Sequence, residues 1–131
     1  MDPITIPRTI DRDEIEAAAR ALHMKGYNCA QAVACAFAPL MGADEDLCFR
    51  MAEGLGGGIA THTETCGALL GGAAVLGMAR SNGCADPTSK EQTYVYTAQL
   101  VEKFEPLYGT TVCSAIRALD PTGVKPMKVC K

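Results

Sequence analysis

Apolar positions in this chain recur about every three to four residues in a series of short runs, the spacing of one face of a helix. Asp11 and Glu14 form a capping-box pair, Ile15, Ala18, Ala19 and Leu22 follow at helical spacing, and Gly26 stops the run. Asn28, with Gln31 three residues on, caps a second helix that opens on Cys29 and continues from Ala30 to Phe37 until Pro39 and Gly42 disturb it. Asp44 starts a short third helix through about Glu53, and Gly54, Gly56, Gly57 and Gly58 then break regular structure as a flexible connector. Thr65 caps a fourth helix whose first position is Cys66 and whose body runs from Gly67 to Met78. After the Asn82-Gly83 turn, Thr88 and Glu91 cap a longer helix carrying Tyr96, Leu100, Phe104 and Leu107 on one side and ending at Pro106 or Gly109. Thr110 or Thr111 caps a last helix that carries Cys113, Ile116 and Leu119 and stops at Asp120-Pro121. Strand alternation is absent apart from an ambiguous stretch near Tyr94 to Tyr96. The expected fold is therefore all-α, a compact bundle of about five or six helices with short links.

Length confines this pattern to one core, since 131 residues suffice for one domain and not for two. Residues 1–10 hold two prolines and no period and read as an extended N-terminal arm, leaving 11–131 as a single helical domain. Hydrophobic residues make up 48% and aromatics only 5%, with no Trp and 13 Gly, so the core must bring backbones close together. A net charge of −3 offers no basic field for nucleic acid. The longest apolar run, Cys66 to Ala79, is shorter than a membrane span. Met1-Asp2-Pro3-Ile4-Thr5-Ile6-Pro7 has neither the basic nor the apolar region of a secretory signal, so a cytoplasmic location is expected.

Seven cysteines change the picture, because cysteine-rich chains of a reducing compartment bind metals or cycle electrons more often than they form disulfide staples. Cys29, Cys66 and Cys113 each fall in the first turn of an expected helix, just after Asn28, Thr65 and Thr111. Unsatisfied N–H groups and a partial positive charge at a helix start favour the thiolate, the form that attacks disulfides or binds metal. The competing reading treats a cysteine as a small hydrophobe, which suits Cys35 and Cys48 in an Ala-rich core, while Cys84 in its turn faces solvent. His62 and Glu64 flank Cys66 as the nearby groups able to orient, ligate or exchange protons, and His23 lies on a helix face. Gly67 and Gly71, one turn apart, give the fourth helix a smooth face against which a backbone or bound group can lie. No CxxC, CxxCH, GxGxxG, P-loop or HExxH occurs, which removes thioredoxin-type dithiols, covalent haem, nucleotide loops and zincins.

Gly26-Tyr27-Asn28-Cys29-Ala30-Gln31-Ala32-Val33, the glycines from Gly54 to Ile59, Thr65-Cys66-Gly67-Ala68 with Gly71, Gly77, and Phe104 to Gly109 leading into Cys113 follow one another in a fixed order. In that order the chain resembles the C_GCAxxG_C_C family of redox-active proteins, although Thr65 and Gly67 flank Cys66 where the family's name spells Gly and Ala. The resemblance implies a small helical protein with a redox role, whose four shared cysteines map to Cys29, Cys66, Cys113 and Cys130. Four thiolates from separate segments can hold an iron-sulfur cluster or zinc, with Gly67 and Gly71 leaving room around the sulfurs, or can form reversible disulfides. The function expected is electron transfer or thiol-disulfide exchange with a redox partner protein, and a homodimer paired through the Gly/Ala-rich helix is the expected assembly. The alternatives are a structural zinc site and a partner-binding helical module without redox turnover.

Overall fold

The computed structural model describes residues 10–119, so the N-terminal arm and the tail with Cys130 lie outside the described residues. Within them are six helices: α1 Arg12–Lys25, α2 Cys29–Phe37, α3 Glu45–Ala52, α4 Gly67–Arg80, α5 Lys90–Tyr108 and α6 Cys113–Arg117. No strand is present among the described residues, and the stretch near Tyr94 is helix. None of these helices is long and apolar enough to cross a membrane.

Helix α2 is the centre of the fold and packs against α1, α3 and α4, while α5 covers the outer side of α4. Its small side chains allow this. Ala30, Ala34, Cys35 and Ala38 are buried and meet Met41, Cys48 and Ala52 from the α3 region and Val75 from α4. Where α2 crosses α4 the backbones nearly touch, since a Cβ on Gly71 would stand 2.7 Å from the Ala30 carbonyl oxygen and 3.1 Å from Val33 Cβ. A core built from Ala and Gly forgoes large side chains and gains tight helix contact instead.

The helix starts follow the capping chemistry in two cases: Asp11 accepts from the Asp13 and Glu14 amides, and Asn28 and Gln31 form a reciprocal capping box at α2. Asp44 occupies the cap position of α3 without a side-chain hydrogen bond to the helix start. The buried Gln31 is fully engaged, as its Nε2 also donates to the Phe49 carbonyl at 3.2 Å.

Four local expectations are corrected. Helix α4 begins at Gly67 with Cys66 as its cap, because Thr65 is drawn into an isolated antiparallel bridge with Val112. Thr88 does not cap α5; Asp86 instead caps a 3-10 turn, Pro87–Ser89, that runs into the helix. On α5 the half-buried side carries Tyr96, Leu100, Phe104 and Tyr108, whereas Leu107 is 74% exposed, one position off that stripe. Val112, not Thr110 or Thr111, is the cap of α6, and Leu119 at its end is exposed.

Candidate functional site

The glycine segment between α3 and α4 is a packed turn rather than a loose connector. Gly57, Gly58, Ile59 and Ala60 all have φ between 54° and 65°, a single turn of left-handed backbone, and Gly56 and Gly58 are buried. Glycine carries such angles freely, but for Ile59 and Ala60 the conformation costs about 1–2 kcal/mol each, so surrounding contacts must hold it. Those contacts are with the cysteine-bearing segments. A Cβ on Gly56 would overlap the Asn28 side chain, and one on Gly58 would stand 3.3 Å from Cys113 Sγ and 3.1 Å from the Glu64 carbonyl oxygen.

Around this turn stand Cys29, the first residue of α2; Cys66, the cap of α4; and Cys113, the first residue of α6. A Cβ on Gly67 would overlap the Cys29 sulfur and would stand 3.1 Å from Leu55 O and 3.2 Å from Gly56 Cα. Cys66 and Cys113 are tied by backbone. The Cys66 N–H donates to Thr111 O at 2.7 Å and the Cys113 N–H to Glu64 O at 2.8 Å, on either side of the Thr65–Val112 bridge. In antiparallel pairing, the residues that flank a pair point to the face opposite it. Cys66 and Cys113 therefore share a face. Cys29 and Cys66 are half-buried and Cys113 is buried, 7% exposed.

The helix starts do not favour a thiolate at Cys113. Burial pushes its pKa up, the neighbouring Cys66 and more weakly Cys29 push it further, and only the Arg117 guanidinium acts against them. All six described cysteines are free thiols. Cys35 and Cys48 are buried in the core and Cys84 is exposed on its turn, as their sequence settings imply.

His62 joins the cluster from the loop after the glycine turn. Its Nδ1 lies 3.9 Å from Cys113 Sγ and 3.2 Å from Arg117 Nη1. Sequence placed His62 only as a neighbour of Cys66; its partner is Cys113, 51 residues away, and nothing local signals that pairing. Glu64 contributes its backbone carbonyl, while Arg117 was not anticipated at all. His23 sits on α1, with Nδ1 at 3.1 Å from Tyr27 O, and takes no part.

Among the described residues, no three His, Cys, Asp or Glu side chains lie close enough together to hold a metal ion. The fourth cysteine of the expected thiolate set, Cys130, lies outside the described residues. An apolar cleft of about 390 Å³ beside α3, lined by Leu47, Cys48, Met51 and Met78 among others, includes none of the three thiols.

Small helical proteins that gather free thiols at helix starts form the class to which this arrangement belongs. The chain is a member of the family described as "Putative redox-active protein (C_GCAxxG_C_C)", whose model matches residues 27–131, from Tyr27 just before the first of these cysteines to the end of the sequence. Neither the curated proteins nor the solved structures contain a match to the chain.

Proposed function

We propose that the protein exchanges thiols and disulfides with a partner, using Cys66 and Cys113 as the exchanging pair and Cys29 as a third thiol of the same cluster. The observation that carries this reading is the short antiparallel pairing of residues 64–66 with 111–113, which sets the two cysteines on one face. Diagonal neighbours in such a pairing stand about 7–8 Å apart, just beyond what a disulfide spans without backbone movement. A small shift of the five-residue α6 closes the remaining gap.

Cys66 is the more accessible of the two and sits at the positive end of the 14-residue α4, where negative charge is favoured. Its thiolate attacks one sulfur of the partner's disulfide, forming a mixed disulfide and releasing a partner thiolate. Cys113 then loses its proton and attacks the Cys66 sulfur. The Cys66–Cys113 bond forms, the second partner thiolate leaves, and the partner has gained the two electrons that the two cysteines lost. A partner dithiol runs the sequence backwards.

Treating the reduced full-length protein with oxidised glutathione and mapping the disulfides by mass spectrometry tests this. The expected product is a Cys66–Cys113 disulfide that is absent from Cys66→Ser and unchanged in Cys35→Ser. Equal loss in both variants, or anaerobically purified protein that carries stoichiometric metal and no reactive thiols, would overturn it in favour of a metal centre.

A further inference from the structure

We infer that His62 is the proton acceptor for Cys113 and that Arg117 is the positioning residue that keeps the imidazole ready to accept. This rests on the reading of Cys113 as one of the exchanging thiols and supplies the residue that takes its proton.

The hydrogen-bond arithmetic around Nδ1 assigns the tautomer. Arginine only donates, so the 3.2 Å contact between Arg117 Nη1 and His62 Nδ1 requires a lone pair on Nδ1. In that arrangement Nδ1 is the acceptor and the ring's N–H is at Nε2. The Cys113 thiol, 3.9 Å from the same Nδ1, is a second donor directed at the same lone pair. Two donors share one acceptor, and only the thiol has a proton to give up. When Cys113 transfers its proton to Nδ1, the Arg117 N–H is displaced from the ring and its charge turns to the new thiolate, leaving a thiolate between an imidazolium and a guanidinium. His62 is exposed, so its ring exchanges the proton with water.

Backbone places the ring. His62 has φ 65°, a left-handed conformation that His, like Asn and Asp, adopts more readily than other non-glycine residues. It is pinned from both ends: its N–H donates to Gly57 O at 2.9 Å, and its carbonyl accepts from the Ser114 N–H at 2.6 Å. The glycine turn and the first turn of α6 thus hold the histidine against the one buried thiol of the cluster. The titratable and charged groups facing this pair are Cys29 from α2, Cys66 from the start of α4 and Arg117 from α6, while Glu64 of the same loop meets Cys113 through its backbone carbonyl.

Two measurements on the reduced full-length chain test the assignment. Nitrogen NMR of the His62 ring at neutral pH is expected to show a protonated Nε2 and a bare Nδ1, with that fixed tautomer lost in Arg117→Gln and regained in Arg117→Lys. Alkylation by iodoacetamide, followed for each cysteine by mass spectrometry across pH, is expected to slow about tenfold at Cys113 near neutral pH in His62→Asn. The Cys113 profile shifts alkaline while Cys84 stays unchanged, and asparagine tolerates the left-handed backbone, so the variant keeps its fold. A proton on Nδ1 in the wild type, or an unshifted Cys113 profile in His62→Asn, would overturn the inference. If the profile depends on His62 but oxidised glutathione yields no Cys66–Cys113 disulfide, the exchange reading falls and the proton acceptor stands; if the disulfide forms and the profile is unmoved, the reverse holds.

Discussion

The sulfur of Cys29 occupies the space that a side chain on Gly67 would need, so the first residue of α4 has no side chain because a thiol from α2 fills its place. The consequence is a contrast within one helix. Alanine at residue 67 would also meet Leu55 O at 3.1 Å and Gly56 Cα at 3.2 Å, which are backbone atoms that cannot turn aside. At Gly77, ten residues along the same helix, nothing stands within 4 Å of the added carbon. Gly67→Ala is expected to lower stability by about 1–3 kcal/mol through overpacking, and Gly77→Ala to raise it by about 0.5–1 kcal/mol through helix propensity. Urea unfolding of both variants checks this, and a Gly67→Ala protein as stable as the wild type would remove the contact from consideration.

Asn28 does two jobs that place Cys29. Its Oδ1 accepts the Gln31 amide at 2.9 Å, and its Nδ2 donates to Glu53 O at 3.0 Å, joining the start of α2 to the end of α3. Its side chain also rests on buried Gly56. Asn28→Ala is expected to cost about 1–2 kcal/mol, the upper range for losing a helix cap. Asn28→Asp keeps the cap but cannot donate to Glu53 O, so its loss falls between the wild type and alanine. Thermal unfolding of the three proteins gives the order, and an aspartate variant less stable than the alanine variant would contradict it.

Much of this was legible in the sequence because it is local. Asn28 with Gln31 and Asp11 with Glu14 fix where α2 and α1 begin, and the positions of Cys29, Cys66 and Cys113 at helix starts were readable from the same local signals. What escaped is contact across sequence distance. The pairing of Thr65 with Val112 moved the α4 boundary by one residue, because backbone bonds to a remote segment outweighed a local cap. Ile59 and Ala60 adopt left-handed angles against their residue type, so a propensity reading sees a break and not a turn. On α5, Leu107 and Tyr108 are adjacent, and the ring contact of Tyr108 with Phe104 at 4.9 Å decided which of them faces inward. The expectation of an easily ionised Cys113 failed for a related reason. A helix start favours the thiolate, but burial and the neighbouring Cys66 outweigh a five-residue helix.

The core thiol of Cys35 makes stability sensitive to alkali. It is 2% exposed and donates to Glu45 O at 3.7 Å, and burial, followed by the charges of Glu45 and Cys48, pushes its pKa up to about 11. The unfolded chain gives up this proton near the ordinary thiol value of 9.0, while the folded chain keeps it to about 11. Between those values the folded state binds more protons, so stability falls as pH rises. The contribution is fully present below pH 9 and is lost by about pH 11. Its size is on the order of 2 kcal/mol. Urea midpoints from pH 8 to 11 are expected to decline in the wild type and to decline less steeply in Cys35→Ala, whose lower starting stability reflects the lost sulfur. The residual slope in that variant belongs to Cys48 and Cys113, both also shifted upward by burial. Parallel slopes in the two proteins would mean that Cys35 ionises no later in the folded state than in the unfolded one.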